Sequence, residues 1–217
     1  MTKQKLAIAV NGSPRKGRNT DTLLQKALDG AKSVGAATRT IHLYDLAFRG
    51  CVSCFSCKRV ETYRDGRCAM RDDLSPVLEE VMKADALFLG SPIYLSDVTG
   101  EMRSFMERLL FMNATYDSQE LSIFKGSISC GFIYTMGVPL DMMNEWGYPK
   151  IFESHMTFLK LLNGRTEYIA ANDTYQFDDY SKYHAPRFDE AHKREVRERD
   201  FPKDCERAFE MGARLAG

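Results

Sequence analysis

Short apolar runs alternate along this chain with longer segments whose apolar residues recur every three or four positions. Lys5–Val10 reads as a buried strand that enters the turn signal Asn11-Gly12-Ser13-Pro14. Leu23, Leu24, Ala27, Leu28 and Ala31 then share one face, predicting a helix over about Thr20–Ser33 with Gly35 just past its end. Thr38–Tyr44 predicts a second strand, with Ile41 and Leu43 pointing one way. Asp72 or Asp73 is expected to cap a helix over about Leu74–Lys83. Ala86–Gly90 has the pattern of a strand buried on both faces. The loop Ser91–Thr99 leads to a helix over Gly100–Leu110, striped by Met102, Phe105, Met106 and Leu109. Ser127–Tyr134 predicts strand four. A long helical region ends at Leu162 with Asn163-Gly164 as its stop, and Thr166–Ala171 predicts strand five.

Strict alternation of strand and helix implies parallel pairing with right-handed crossovers. Five such strands suit an α/β doubly wound parallel sheet of order 2-1-3-4-5, whose ligands sit outside the carboxyl ends where the winding reverses. The loops after strands one, three and four are therefore the place to look. Residues 1–171 read as this domain and 172–217 as a C-terminal extension. Asn172–Pro186 is rich in aspartate and tyrosine without periodicity. Phe188–Ala216 is charged and helical, interrupted at Pro202, which suits the first turn of a new helix. The extension shows no evident core role in the sequence and is expected to be an oligomerisation arm.

Lysine plus arginine and aspartate plus glutamate number 30 each, which gives no support to a nucleic-acid or acidic-membrane partner. The apolar run Leu6–Val10 is too short for a signal core or a membrane span, so a cytoplasmic location is expected. In such a reducing compartment six cysteines do not read as a disulfide framework.

The loop Gly12-Ser13-Pro14-Arg15-Lys16-Gly17-Arg18-Asn19-Thr20 leaves a strand and enters a helix N-terminus, where free N–H groups and the dipole favour an anion. Ser13, Asn19 and Thr20 add neutral donors, Arg15 or Arg18 adds charge, and Gly12 and Gly17 permit tight turns. The loop is neither a Walker A motif nor a G-x-G-x-x-G fingerprint, which favours a monophosphate over a dinucleotide. The alternative for the same residues is a solvated basic connection with Thr20 as helix cap.

This Gly-Ser-Pro-Arg-x-x-x-Asn-Thr stretch resembles the flavin phosphate loop of the NADPH-dependent FMN reductase group. Gly90-Ser91-Pro92-Ile93-Tyr94, followed by Gly100-x-Met102-x-x-Phe105-x-x-Arg108, looks like that group's second signature. The resemblance covers about residues 1–170 and implies a flavodoxin-like fold that binds FMN. Pro92, Ile93, Tyr94 and Leu95 would offer an isoalloxazine an apolar bed and backbone donors, although such residues also cap cores. Tyr134-Thr135-Met136-Gly137 would flank the ring by resemblance, with plain turn residues as the alternative. Flavin sites in this family are often completed by a neighbouring subunit, which implies a homodimer or homotetramer.

Cys51, Cys54 and Cys57 form a C-x2-C-x2-C triplet, and Cys68 follows. The segment resembles that of the iron–sulfur flavoproteins, a branch of the same family, with a wider gap to the fourth cysteine. A [4Fe–4S] cluster, free thiols and zinc are the three readings of these four residues. Cys130 reads as a buried filler. His42, His155, His184 and His192 are scattered, without a triad or ligand spacing. No Ser-His-Asp set or paired-carboxylate motif is present, so no catalytic side chain is named. Two functions follow. One is an FMN-dependent NAD(P)H oxidoreductase that passes electrons to a quinone, a free flavin or a metal complex. The other is an iron–sulfur flavoprotein carrier that serves a ferredoxin-type partner.

Overall fold

A computed structural model describes residues 4–117 and 119–217. Five strands form one parallel sheet: β1 (Leu6–Asn11), β2 (Ala37–His42), β3 (Ala86–Pro92), β4 (Ile128–Thr135) and β5 (Asn163–Ala171). Their order is β2-β1-β3-β4-β5, the expected winding. The helices are α1 (Asn19–Ser33), α2 (Leu74–Val81), α3 (Gly100–Asn113), α4 (Leu140–Glu145), α5 (Tyr148–Leu159), α6 (Glu190–Arg199) and α7 (Phe201–Ala216). No helix among the described residues is long and apolar enough to cross a membrane.

Alternation along the strands sorts the two faces by size. Ile8, Val10, Leu87, Leu89, Phe132 and Tyr134 meet α2, α3 and α5. Ala7, Ala9, Ala86 and Phe88 meet α1 and α7, where the small side chains admit the helices closely. Register brings Asn11 beside Gly90, and Pro92 beside Thr135, so the ends of β1, β3 and β4 lie together.

Several boundaries differ from the sequence reading. Strand two stops at His42, because Leu43–Asp45 turns into a 3-10 helix that keeps Leu43 buried. Helix α3 runs on to Asn113. The region ending at Leu162 is broken at Gly147, whose φ of +76° no helix accommodates. Asn163 alone makes the stop, at φ +61°, and Gly164 is already in β5. Asp73 takes the α2 N-cap position without a side-chain cap, its Oδ2 accepting from Ala47 N–H at 2.8 Å, and Asp72 Oδ1 accepts from Leu74 N–H at 3.2 Å. The largest correction is the extension. Phe201, Ala208, Met211, Leu215 and Ala216 of α7 are buried against α1 and the sheet, so α7 is part of the core.

Candidate functional site

The first loop is braced from below. Gly12 N–H donates to Gly90 O at 2.8 Å, and Thr99 Oγ1 donates to Gly12 O at 2.7 Å. Asn11 Oδ1 accepts from Ser13 N–H, and the Ser13 hydroxyl accepts from Arg15 N–H. Asp21 holds the loop's far side, taking Gly17 N–H at 2.6 Å and Asn11 Nδ2 at 3.0 Å. Arg18 occupies the α1 N-cap position and gives no side-chain cap, so the helix start lacks the acceptor that such ends ordinarily hold. Thr20 does not cap. Its hydroxyl is buried against the Thr135 hydroxyl at 2.8 Å, tying α1 to the end of β4.

The remaining loop residues meet the extension. Arg15 Nη1 donates to Gln176 O at 2.5 Å, Asn19 Nδ2 donates to Tyr175 O at 2.8 Å, and Arg18 forms a two-pronged pair with Asp178. That pair is exposed and lowers the Asp178 pKa through the Arg18 hydrogen bond and charge.

The loop after β3 is a tight turn. Tyr94 N–H donates to Asp97 O and Asp97 N–H to Tyr94 O. Leu95 and Ser96 take φ of +48° and +73°, the two left-handed positions of a type I′ turn without the glycine or asparagine that such a turn favours. The strain holds Tyr94 half-exposed and Leu95 wholly exposed. Donors are scarcer than expected from the sequence. Pro92 has none, Ile93 N–H is taken by Thr135 O, and Tyr94 N–H by Asp97 O, which leaves the turn's own Leu95. Tyr44, which sequence reasoning missed, joins this shelf. Partial burial, a hydrogen bond to Glu101 and the neighbouring Tyr94 push its pKa up to about 12.

At the end of β4, the buried Thr135 hydroxyl turns towards Thr20 of α1, whereas Tyr134 points to the opposite face of the sheet. Its ring is fully buried, stacked between Phe132 and Phe152 at 4.2 and 3.9 Å. This corrects the expectation that it flanks the ring. Its hydroxyl is hydrogen-bonded with His155 Nδ1 at 3.0 Å, and His155 Nε2 lies 3.3 Å from Asp97. Burial lowers the His155 pKa against the pull of Asp97, which fits a neutral imidazole in a satisfied core. Gly137 sits under the Gln176 side chain, where a Cβ would fall 2.8 Å from its amide carbon. The carbonyl of Gly137 accepts from the buried Lys193 amine at 2.7 Å, and Lys193 also pairs with Asp173. The extension thus grips both the first and the β4 loops.

The cysteine segment lies to one side. Cys54 is exposed, between Ser53 and Phe55 in left-handed backbone, while Cys51, Cys57 and Cys68 are half-buried. Burial raises the Cys57 pKa, Lys58 opposes this, and Cys68 and Cys51 add to it. Arg108 is buried beside them. Its Nη1 pairs with Asp72 at 2.5 Å, and Cys68 is near enough to favour its charge. Arg108 Nε and Nη2 have no hydrogen-bond partner among the described residues. A buried cation with spare donors suits a negative group near Cys68. The thiols themselves are not assembled: among the described residues no three His, Cys, Asp or Glu side chains form a metal-binding group.

A model of the NADPH-dependent FMN reductase family matches residues 6–125. An iron–sulfur flavoprotein of Archaeoglobus fulgidus is 37% identical over 101 residues, 46% of this chain and 47% of that protein. One from Methanosarcina thermophila is 25% identical over 103 residues, 48% of this chain and 51% of that protein. The chain spans about half the length of the curated relatives it matches. Among solved structures, an NAD(P)H:quinone oxidoreductase from Methanothermobacter marburgensis superposes with a TM-score of 0.70 at 15% identity, over 99% of this chain and 98% of that one. An FMN-dependent NADH-azoreductase from Bacillus anthracis, in complex with FMN, gives 0.64 at 12% identity, over 99% and 100%. These likenesses establish the flavodoxin-like fold.

Proposed function

The chain belongs to the NADPH-dependent FMN reductase family, and we propose that it binds FMN where β1, β3 and β4 end and carries electrons from NAD(P)H to a quinone, flavin or metal acceptor. One juxtaposition carries this reading: an uncapped helix N-terminus beside a strained turn that exposes Tyr94 and Leu95. An anion site next to an apolar shelf suits a ligand with a phosphate at one end and a planar ring at the other. Ser13, Arg15, Gly17, Asn19 and the backbone of Thr20 would hold the phosphate. Pro92, Ile93, Tyr94, Leu95, Thr135 and Gly137 would line the ring, with Tyr44 added. The flavin supplies the hydride and electron chemistry when bound, and the protein supplies its position and surroundings. No side chain is assigned an acid or base role.

Anaerobic titration tests the reading. FMN is expected to bind, and NADPH to bleach it rapidly. Arg15→Ala is expected to weaken FMN binding by about 1.5–3 kcal/mol, the worth of a charge-assisted hydrogen bond. Tight FAD binding with negligible FMN affinity would overturn the proposal. An assembly of two or four copies, joined through the extension, and a cytoplasmic location belong to the same reading.

The second reading is a carrier in which Cys51, Cys54, Cys57 and Cys68 hold a [4Fe–4S] cluster. The spare donors of buried Arg108 and the names of the curated relatives favour it. The unassembled thiols oppose it. Iron analysis after anaerobic reconstitution decides: about four irons per chain support the carrier, and an iron-free yellow protein leaves the reductase with structural thiols.

A further inference from the structure

Helix α6 is charged along most of its length, and its buried residues are Val196 and Lys193. Lys193 is only 2% exposed. A buried ammonium is costly unless its donors find partners. Here the Asp173 carboxylate takes one, the Gly137 carbonyl takes another at 2.7 Å, and the Phe188 ring centroid stands 5.0 Å away. Asp173 is fixed in turn. Its backbone is left-handed at φ +52°, its N–H donates to Val138 O at 3.0 Å, and its other carboxylate oxygen meets His192 Nε2 at 2.6 Å. The extension thereby engages every carbonyl from Met136 to Val138. Met136 O accepts from the Thr174 N–H at 2.9 Å and hydroxyl at 3.1 Å, Gly137 O accepts from Lys193, and Val138 O accepts from Asp173 N–H and from Asn172 Nδ2 at 3.3 Å. A trans peptide is planar, with its C=O and N–H antiparallel. The Gly137 N–H therefore points away from Thr174, and the Val138 N–H points away from Lys193. Neither N–H has a hydrogen-bond partner among the described residues.

We propose that Lys193 is a positioning residue: it holds the β4 loop so that the Gly137 and Val138 N–H groups are presented as a pair of donors to a ligand beside that loop. On the function proposed above, on which this step rests, that ligand is the flavin ring. The pair then supplies the donors that the loop after β3 lacks, where Thr135 O takes Ile93 N–H and Asp97 O takes Tyr94 N–H. The Lys193 charge also polarises the Gly137–Val138 peptide that it binds, which makes the Val138 N–H a stronger donor. Fixed N–H dipoles hold an electron-rich ring more tightly than an electron-poor one. Lys193 thus acts through the loop and not by contact with the ring.

The test uses the full chain and the variants Lys193→Met, Lys193→Met/Asp173→Asn and His192→Gln. Methionine keeps an unbranched stem without the ammonium. The double variant also removes the carboxylate left behind, with an asparagine that tolerates left-handed backbone, so a folded chain is available if the single variant fails to fold. His192→Gln disturbs the same Asp173 without touching Gly137. Hydrogen exchange of the flavin-free chain, read by mass spectrometry over residues 172–174, is expected to quicken in both Lys193 variants and to hold in His192→Gln. FMN is expected to bind about tenfold more weakly to the Lys193 variants. Reduced FMN is expected to lose a further tenfold or so relative to oxidised FMN, which lowers the two-electron midpoint potential by about 30 mV. Lys193 variants with native exchange overturn the clamp. Faster exchange with unchanged affinity and potential overturns the presentation of donors, and an equal shift of potential in His192→Gln overturns the particular role of Lys193. A native chain that binds no flavin, yet whose exchange responds to Lys193 alone, overturns the reductase reading and leaves the clamp standing.

Discussion

Cys54 and Cys57 lie three residues apart and their thiols shift in opposite directions. The Ser56 backbone N–H and hydroxyl, with Arg59 nearby, lower the Cys54 pKa at an exposed position. Burial raises Cys57, and complete burial pushes Cys130 up to about 12. Because the thiolate is the nucleophile, iodoacetamide is expected to label Cys54 first, Cys57 more slowly and Cys130 only on unfolding. A mass-spectrometric time course checks this, and equal rates at Cys54 and Cys57 would contradict it. The Asp72–Arg108 pair makes a second prediction. Burial acts to raise the Asp72 pKa, but the Arg108 hydrogen bond and charge, with the N–H groups of Arg49 and Leu74, outweigh it and the net shift is downward. A lowered folded pKa gives stability that is present above the unfolded value of about 3.9 and lost as pH falls through the folded value. Asp72→Asn leaves a buried guanidinium uncompensated. It is expected to cost about 3–5 kcal/mol at pH 7, read from the urea midpoint, with the gap to the native chain closing in acid.

Helices α1 and α7 touch through glycine. A Cβ on Gly212 would stand 1.8 Å from Ala27 O, and one on Gly30 would stand 1.9 Å from Phe209 O. Backbone atoms cannot step aside. Gly→Ala inside a helix ordinarily gains about 1 kcal/mol, yet Gly212→Ala is expected to reverse that sign and cost about 1–3 kcal/mol or more. Gly100→Ala at the start of α3 is the control. Nothing lies within 4 Å of its Cβ, and its melting temperature should hold or rise. This contact also explains what the sequence concealed. Periods of two and of three to four located every strand and the helices on the first core face, because those stripes are made of Leu, Met and Phe. The buried stripe of α7 is instead Phe201, Ala208, Met211, Gly212, Leu215 and Ala216 among many charges. Half of its members are alanine or glycine, which hydropathy scores weakly, so close approach is invisible until α1 is beside it. The break at Gly147 was hidden for a related reason, since apolar residues continue on both sides of it.

Over the whole molecule, the winding rule holds, and the ends of β1, β3 and β4 lie together because all parallel strands end on one side. The Thr20 hydroxyl meets the Thr135 hydroxyl there, and Pro92 pairs with Thr135 across the strands. Strand parity excludes Tyr134, which shares the face of Phe132 and stacks on it. The cover supplied by Tyr175–Asp178 and α6 was not legible. Its contacts reach back more than 150 residues, and no local pattern encodes a pairing such as Arg18 with Asp178. The extension therefore has two parts with separate tests. A chain cut after Ala171 loses α7. Burying Phe201, Met211 and Leu215 is worth roughly 5–9 kcal/mol, comparable to the entire stability of a typical domain. That truncation is expected to give a poorly folded chain with a broad, low-amplitude melt, rather than a folded single copy. Assembly must be tested with the core intact. Tyr183 is half-exposed and stacks on Phe177 at 4.0 Å, outside both core clusters. Tyr183→Asp is expected to keep the native melt and lose oligomer mass by light scattering. If the 1–171 chain melts cooperatively as a folded particle, α7 is not the core helix described; if Tyr183→Asp keeps the native mass, this part of the extension does not join copies of the chain.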